Sequence, residues 1–508
     1  MEEVTSTTMG GIEGHPVEVV HSSEDGGYEL NVNELESILL NPDIRNKPVA
    51  IVSVAGAFRK GKSFMLDFFL RYLESDNPEN WLGSPDDPLE GFHWRGGVER
   101  DTAGILLWSK PFTKKLPSGR EIIILLMDTQ GAFDLDSTVK DCATVFALST
   151  MISSVQIYNL QSNLQENDLQ HLQLFTEYGR IALAEVDSKP FQKLCFLIRD
   201  WPVPYEYDYG FEGGERLLQK KLSVDGRHKE LQSVRAHINS CFGSTSCFLM
   251  PHPGKIVATS PNFKGQLKDI DETFVDMLKE FVPGILSGEN IVVKEINGSK
   301  LTCEDLLQYF KAYSKVFQGK DLPEPKSILH ATAEANNLAA LNSAKNKYTE
   351  EMEGLVGGSK PYLNPDLLKR EHEALTRITR KVFDGVKKMG GKEFSQQYED
   401  ELDEFMAERF LDYSKQNEAK NLFGAVKVPV MLVGLAFICH FVVGILIFIR
   451  MPAIVFMPFN MIFYISLALL TAWIYVKYSG NYPEVGSGIE QLVEMLMENV
   501  SFKSSSIF

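Results

Sequence analysis

Residues 56–64 read GAFRKGKSF, and Gly56-Ala57-Phe58-Arg59-Lys60-Gly61-Lys62-Ser63 within them fits the phosphate-binding pattern G-x-x-x-x-G-K-[ST]. The pattern has a mechanism: backbone N–H groups of the loop and of the helix it opens cradle phosphate oxygens. Lys62 is expected to reach the β- and γ-phosphates, and the Ser63 hydroxyl to ligate Mg²⁺. The flanks agree. VAIVSV (49–54) is a continuous apolar, β-branched run that ends near the loop, and a helix is expected from Ser63 onward. Arg59 and Lys60 add two cations among the variable positions, which raises the question whether Arg59 takes part in the chemistry.

Three more apolar runs lie downstream. EIIILLM (121–127) ends at Asp128, LCFLI (194–198) at Arg199-Asp200 and SCFLM (246–250) at Pro251. Such runs suit strands buried on both faces, the parallel sheet of an α/β P-loop domain, which binds ligands at the carboxyl ends of its strands. DTQG (128–131) fits D-x-x-G. Its Asp128 carboxylate is expected to hold Mg²⁺ through water, and its Gly131 N–H to sense the γ-phosphate. Between the two motifs, RGGVERDTAGI (95–105) offers Thr102 in a charged, glycine-containing stretch, suited to closing over the metal. The guanine-reading NKxD is absent, because NKPV at Asn46 and NKYT at Asn346 lack the aspartate. Asp200 is the candidate in its place, since a carboxylate accepts from the N1 and N2 donors of guanine. Composition and spacing alone leave ATP open.

Beyond this domain the pattern changes. Residues 1–27 read as a polar segment, a short helix is expected near 35–40, and the nucleotide domain runs over 28–318. A linker, 319–326, ends in LPEPK, and no further strand signal follows. Helix formers fill 327–355. Asn364-Pro365 supplies a cap and a first-turn proline, with Leu368, Leu375, Ile378, Val382 and Val386 on one face of the helix that follows. A third helix over about 393–416 completes an all-α three-helix bundle, 327–424. Residues 428–449 and 451–476 are uncharged and each long enough to cross ~30 Å of hydrocarbon, a two-span transmembrane hairpin. Lys415, Lys420, Lys427 and Lys477 flank it, with only Arg450 between, which puts both flanks in the cytosol. Pro452 and Pro458 leave a shallow hairpin open as an alternative. His440, mid-span with no second ionisable residue, reads as a neutral imidazole bonded to a nearby carbonyl. The tail, 477–508, is amphipathic; Ile489, Leu492, Val493, Leu496, Met497 and Val500 form a stripe that suits docking on protein or lying on a membrane equally.

Bulk properties bound the alternatives. The 508 residues suffice for about three domains, and 44 % hydrophobic with 23 % charged residues is an ordinary globular balance. A net charge of −17 argues against a nucleic-acid binder, which needs a basic face. The six cysteines show no metal-ligand spacing and read as reduced core thiols. MEEVTSTTMGGIEGH lacks an apolar signal region, and its second residue is Glu2 rather than the glycine that myristoylation needs. SSSIF carries Ser505 where a prenylated cysteine would stand.

GAFRKGKSF, LLMDTQGAFD, TVFALSTMISS, LQHLQLFTEYGR, FLIRDW, HPGKIVAT and ATAEANNLAA together resemble the atlastins, dynamin-related GTPases that fuse endoplasmic reticulum membranes. The likeness runs from about residue 28 through the hairpin. It implies GTP as substrate, with Mg²⁺. Asp200 would read guanine with Arg199 beside it, Val257 would cap the base, and Ser260 stands where an asparagine is often found. Arg59 would be an internal arginine finger, with phosphate or partner binding as its lesser alternative. Lys60, Gly61, Lys62, Ser63, Phe64 and Gln130 would line the same site. Arg59, Lys62 and Thr102 would carry the catalysis, and Ser63, Thr102 and Asp128 the metal. The resemblance further implies homodimers in cis and in trans, a lipid bilayer, and tubule-shaping hairpin membrane proteins as partners. The alternative function is a membrane-anchored signalling or tethering GTPase that does not itself fuse bilayers.

Overall fold

The computed structural model describes residues 14–22, 28–57, 60–75, 77–92, 104–129, 139–172, 177–178, 181–182, 189–222, 235–236, 238–317, 324–358, 360–479 and 482–504. The chain divides into two compact units, Met1–Asn346 with Ile378–Glu404, and Lys347–Arg377 with Phe405–Phe508.

The first unit is built on one mixed sheet. Its strands are β1 (Pro16–Ser22), β2 (Tyr28–Leu30), β3 (Val49–Gly56), β4 (Ile105–Trp108), β5 (Phe112–Lys115), β6 (Glu121–Thr129), β7 (Val155–Gln161), β8 (Phe191–Arg199) and β9 (Phe242–Leu249). They lie in the order β2-β1-β4-β6-β3-β7-β8-β9, with β5 also paired to β6. β6, β3, β7, β8 and β9 run parallel, and the apolar runs of β3, β6 and the C-terminal halves of β8 and β9 suit strands covered on both faces. All eight residues of β3 are buried. Val49, Ile51 and Ala55 face one core and Ala50, Val52 and Val54 the other, the two-residue alternation of a strand covered on both sides.

Helices supply both covers. α1 (Val32–Leu39), α3 (Val139–Ile152), α5 (Gly210–Leu222) and α8 (Cys303–Phe317) pack on one face, and α2 (Lys62–Glu74) and α7 (Glu272–Leu286) on the other. The short α4 (Glu166–Gln170) and α6 (Lys255–Thr259) follow β7 and β9. A two-stranded ribbon, β10 (Glu295–Ile296) with β11 (Ser299–Lys300), precedes α8.

Two features depart from the sequence reading. The segment read as a polar lead-in contributes β1, whose Val17, Val19 and Val20 are buried while Glu18 is exposed. A register shift between Glu18 and Val20 breaks the alternation that would have marked it as a strand. β7 carries no clear strand signal either, because Gln156 and Asn159 interrupt its apolar run, yet both are fully buried.

Three long helices follow: α9 (Pro325–Val356), α10 (Pro365–Gly385) and α11 (Lys392–Ala419). The expected cap is present, with Asp366 N–H donating to Asn364 Oδ1 at 2.8 Å. In the second unit, Asn417 clamps the entry to α10 by exchanging hydrogen bonds with the Leu363 backbone at 2.7 and 2.8 Å. Tyr348 Oη reaches His372 Nδ1 at 2.8 Å, and the His372 ring stacks on Phe410 at 4.0 Å.

The same unit holds α12 (Leu422–Phe448) and α13 (Ala453–Ser479), joined by residues 449–452 with Arg450 at φ 56°. Val426–Phe448 and Ala453–Lys477 are long and apolar enough to cross a membrane. Phe441, Phe448 and Ile454 stay 62, 88 and 80 % exposed, a surface that water would not tolerate at this density. The His440 ring lies against Phe463 at 5.5 Å between centroids. α14 (Pro483–Ser504) docks on the base of this hairpin: Ile489 and Val493 are buried with Val428, Leu432 and Trp473, and Trp473 Nε1–H donates to Glu490 Oε1. Leu492, Met495 and Leu496 remain exposed, so the tail both packs on protein and presents an apolar face.

Candidate active site

The site forms where the parallel strands end. Register pairs Val54 with Asp128, Gly56 with Asn159 and Gln161 with Arg199, so β6, β7 and β8 deliver polar residues to the edge at which β3 opens the loop. Gly56 is required by close approach: its φ is 149°, and a Cβ there would lie 2.1 Å from Asn159 O. Gly61 is required by conformation, with φ 73° at the N-cap of α2, and a Cβ would meet Arg199 Nη1 at 2.9 Å.

The loop is braced from beneath. Asn159 Nδ2–H donates to Lys60 O at 2.9 Å, and Arg199 Nη1–H to Gly61 O at 3.2 Å and Lys60 O at 3.4 Å. The Arg199 guanidinium also stands 5.3 Å over the Phe274 ring. Burial lowers its pKa to about 10, partly opposed by Asp200, so it stays charged at neutral pH. Turning loop carbonyls toward these donors leaves loop N–H groups available for anionic oxygens.

Lys62, 7 % exposed, donates to Ala57 O at 3.2 Å across the loop. Ser63 Oγ–H donates to Asp128 Oδ2 at 2.5 Å, and Asp128 Oδ1 accepts from Thr129 N–H. The Thr129 hydroxyl donates to Val54 O, tying β6 to β3 directly below the loop. Phe64 is 5 % exposed, within an aromatic cluster with Phe68, Phe263 and Phe274 at 5.1–6.4 Å. Lys60, Gly61, Lys62, Ser63 and Asp128 are therefore brought together at the loop. Arg59, Thr102 and Gln130 lie outside the described residues, as does Gly131.

The other end of the edge is built differently. Asp200 directly follows β8 at φ 55°, and its Oδ2 accepts from Gln161 Nε2–H at 3.0 Å. Val257 is partly buried against the core beneath α6, and Ser260 closes that helix by donating its N–H to Ile256 O at 2.9 Å. Sequence reasoning misses Asn159, Gln161 and Phe274. Asn159 and Gln161 sit on the strand that lacks a clear signal, and a phenylalanine under an arginine 75 positions earlier leaves no local trace.

Comparison with known proteins agrees with this architecture. Residues 25–295 match the family model described as guanylate-binding protein, N-terminal domain. Over 487 residues, 96 % of this chain, the sequence is 52 % identical to Atlastin-2 of Homo sapiens, covering 83 % of that protein. It is 51 % identical to Atlastin-1 of Bos taurus, covering 96 % of this chain and 87 % of that one. Atlastin-2 of Xenopus laevis is 52 % identical, at 96 and 85 % coverage.

Proposed function

We propose, because this chain belongs to the atlastin family and is a membrane-anchored GTPase that hydrolyses GTP, that turnover drives the tethering and homotypic fusion of endoplasmic reticulum membranes. The observation that carries this reading is the union, in one chain, of a phosphate loop on a buried sheet with two adjacent apolar helices, Val426–Phe448 and Ala453–Lys477. A recruiting switch needs no such pair of membrane helices.

In this reading the loop N–H groups and Lys62 bind the phosphates, while Asn159 and Arg199 keep the loop in its phosphate-accepting shape. Asp200 reads guanine through its N1 and N2 donors, with Arg199 behind it, and Val257 and Ser260 close over the base. Ser63 and Asp128 suit Mg²⁺: both are hard oxygen donors, and their oxygens already converge at a helix N-terminus. Thr102 joins them. When bound, the ion neutralises charge on the β- and γ-phosphates. Arg59 supplies a guanidinium where γ-phosphate charge develops, so no separate activating protein is needed. Lys60, Phe64 and Gln130 complete the lining. Two copies on apposed membranes dimerise through these domains, copies in one membrane associate in cis, and both chain termini lie in the cytosol. Tubule-shaping hairpin proteins share the membrane. The domain divisions proposed from sequence, 28–318, 327–424, 428–449, 451–476 and 477–508, describe the parts that move.

The test is reconstitution of the full chain into two liposome populations, with lipid mixing followed with GTP and Mg²⁺, with GDP, and with neither. GTP-dependent mixing is expected. Hydrolysis and liposome clustering without mixing would instead establish a tethering or signalling GTPase.

A further inference from the structure

The proposal starts from the geometry beside Asp200. β7 and β8 are parallel neighbours paired to their last residues, Gln161 with Arg199. Each then bends through a left-handed residue: Ser162 at φ 62° and Asp200 at φ 55°. Left-handed backbone is uncommon for serine and better tolerated by aspartate, and two adjacent strands adopt it here at the same level. The bends are locked together, because Ser162 N–H donates to Arg199 O at 2.7 Å. Trp201 N–H continues the ladder on the other side, to Met250 O at 3.0 Å. The backbone of Asp200 is thus held from both flanks. Among the described residues its side chain is held by one hydrogen bond, Gln161 Nε2–H to Oδ2 at 3.0 Å.

A carboxylate that reads guanine must meet two parallel donors at once, so the rotation of its plane matters as much as its position. A carboxylate oxygen accepts more than one hydrogen bond, so a donor from Gln161 fixes that plane and leaves capacity for the base. We propose that Gln161 is a specificity-determining positioning residue, which orients the Asp200 carboxylate for bidentate recognition of a 2-amino-6-oxopurine. The inference rests on the reading of Asp200 as the base-binding residue.

Inosine triphosphate separates the two ideas, because it keeps N1–H and lacks the 2-amino group. In full-length protein, Gln161→Ala is expected to raise KM for GTP about three- to tenfold, the scale of one solvent-exposed hydrogen bond, and to leave kcat within about twofold. KM for inosine triphosphate should change less, so discrimination between the two nucleotides shrinks. Gln161→Glu, which sets a second carboxylate against Asp200, should shrink it further, and thermal melting of both variants should match the parent. Asp200→Ala is the control and should abolish most of the discrimination. If Asp200→Ala does so while both Gln161 variants keep the parental ratio, Gln161 does not position the carboxylate and the inference falls. If Asp200→Ala also keeps the parental ratio, the reading of Asp200 falls and takes the inference with it. Equal losses for both nucleotides with lowered melting in the Gln161 variants would make Gln161 a structural residue and overturn the proposal.

Discussion

The two ends of the proposed nucleotide site are built to different standards. At the phosphate end Lys62, Asp128, Asn159 and Arg199 are 7, 0, 0 and 5 % exposed, and each is hydrogen-bonded to its neighbours. At the base end Gln161 is exposed, Asp200 is half-buried, and none of the residues of α6 is buried. The difference follows from what each end does. Groups that stabilise charge in a transition state gain most when they are fixed in a dry setting before the reaction begins. Groups that hold a base contribute equally before and after the chemical step, so they set affinity and need orientation rather than a dry setting.

The comparison breaks most visibly, if it is wrong, at Arg59. As a finger at the phosphate end, Arg59→Ala is expected to cut kcat by about 10³–10⁵ while leaving GTP affinity within a few-fold. Single-turnover hydrolysis beside equilibrium nucleotide binding measures both; equal losses would make Arg59 a binding residue. Next comes the brace. Arg199→Ala strips the carbonyls of Lys60 and Gly61 of a charged donor and removes the cation over Phe274, at a cost of about 2–4 kcal/mol in stability. Arg199→Lys should recover only part of it, because an ammonium lacks the planar fork that spans two carbonyls. Denaturant unfolding checks the stability, and GTP titration should show affinity falling with it.

At the base end the effects should be smaller and purely of recognition. Asp200→Asn replaces an acceptor pair by one acceptor and one donor, which suits xanthine with its 2-oxo group. GTP affinity should fall about 10- to 100-fold, roughly 1.4–2.8 kcal/mol, while xanthosine triphosphate is gained as substrate at near-parental kcat. A kcat for that substrate lowered as much as its affinity is improved would mean that the base end also shapes the transition state.

The two ends are unequally legible in the sequence, and for a physical reason. Lys62, Ser63 and Asp128 are legible because a loop between a buried strand and a helix constrains residues close together in the chain. Asp200 is legible as the polar residue at a strand end. The braces are not: Asn159 reads as a break in an apolar run, and only the register of β7 against β3 brings it under Lys60. Arg199 stands out beside Asp200, but its contact with Gly61 spans 138 positions and its ring partner lies on α7. The hairpin spans are legible from apolar length alone. β1 is hidden by its register shift, and the docking of Ile489 and Val493 by the ambivalence of an amphipathic stripe.

Another buried basic residue sharpens the comparison by separating burial from function. Lys294, like Arg199, is held by carbonyls: its Nζ donates to Met151 O at 2.7 Å and Ser153 O at 2.9 Å, at the C-terminal end of α3. Burial lowers the Lys294 pKa from 10.5 to about 7, whereas the Arg199 guanidinium at about 10 keeps its proton through neutral pH. The folded chain therefore gives up the Lys294 proton at a pH where the unfolded chain still binds it. Between about pH 7 and 10.5 the unfolded state holds more protons at this site, so the Lys294 contribution to stability rises with pH, and it is flat below about 7. Unfolding midpoints at about pH 7.5 and 9.5 should show the parent gaining more than Lys294→Met across that interval, while Arg199→Ala and the parent gain alike. If the parent and Lys294→Met gain equally, the two carbonyls outweigh desolvation and Lys294 is folded as a cation, which would bring it under the same rule as Arg199.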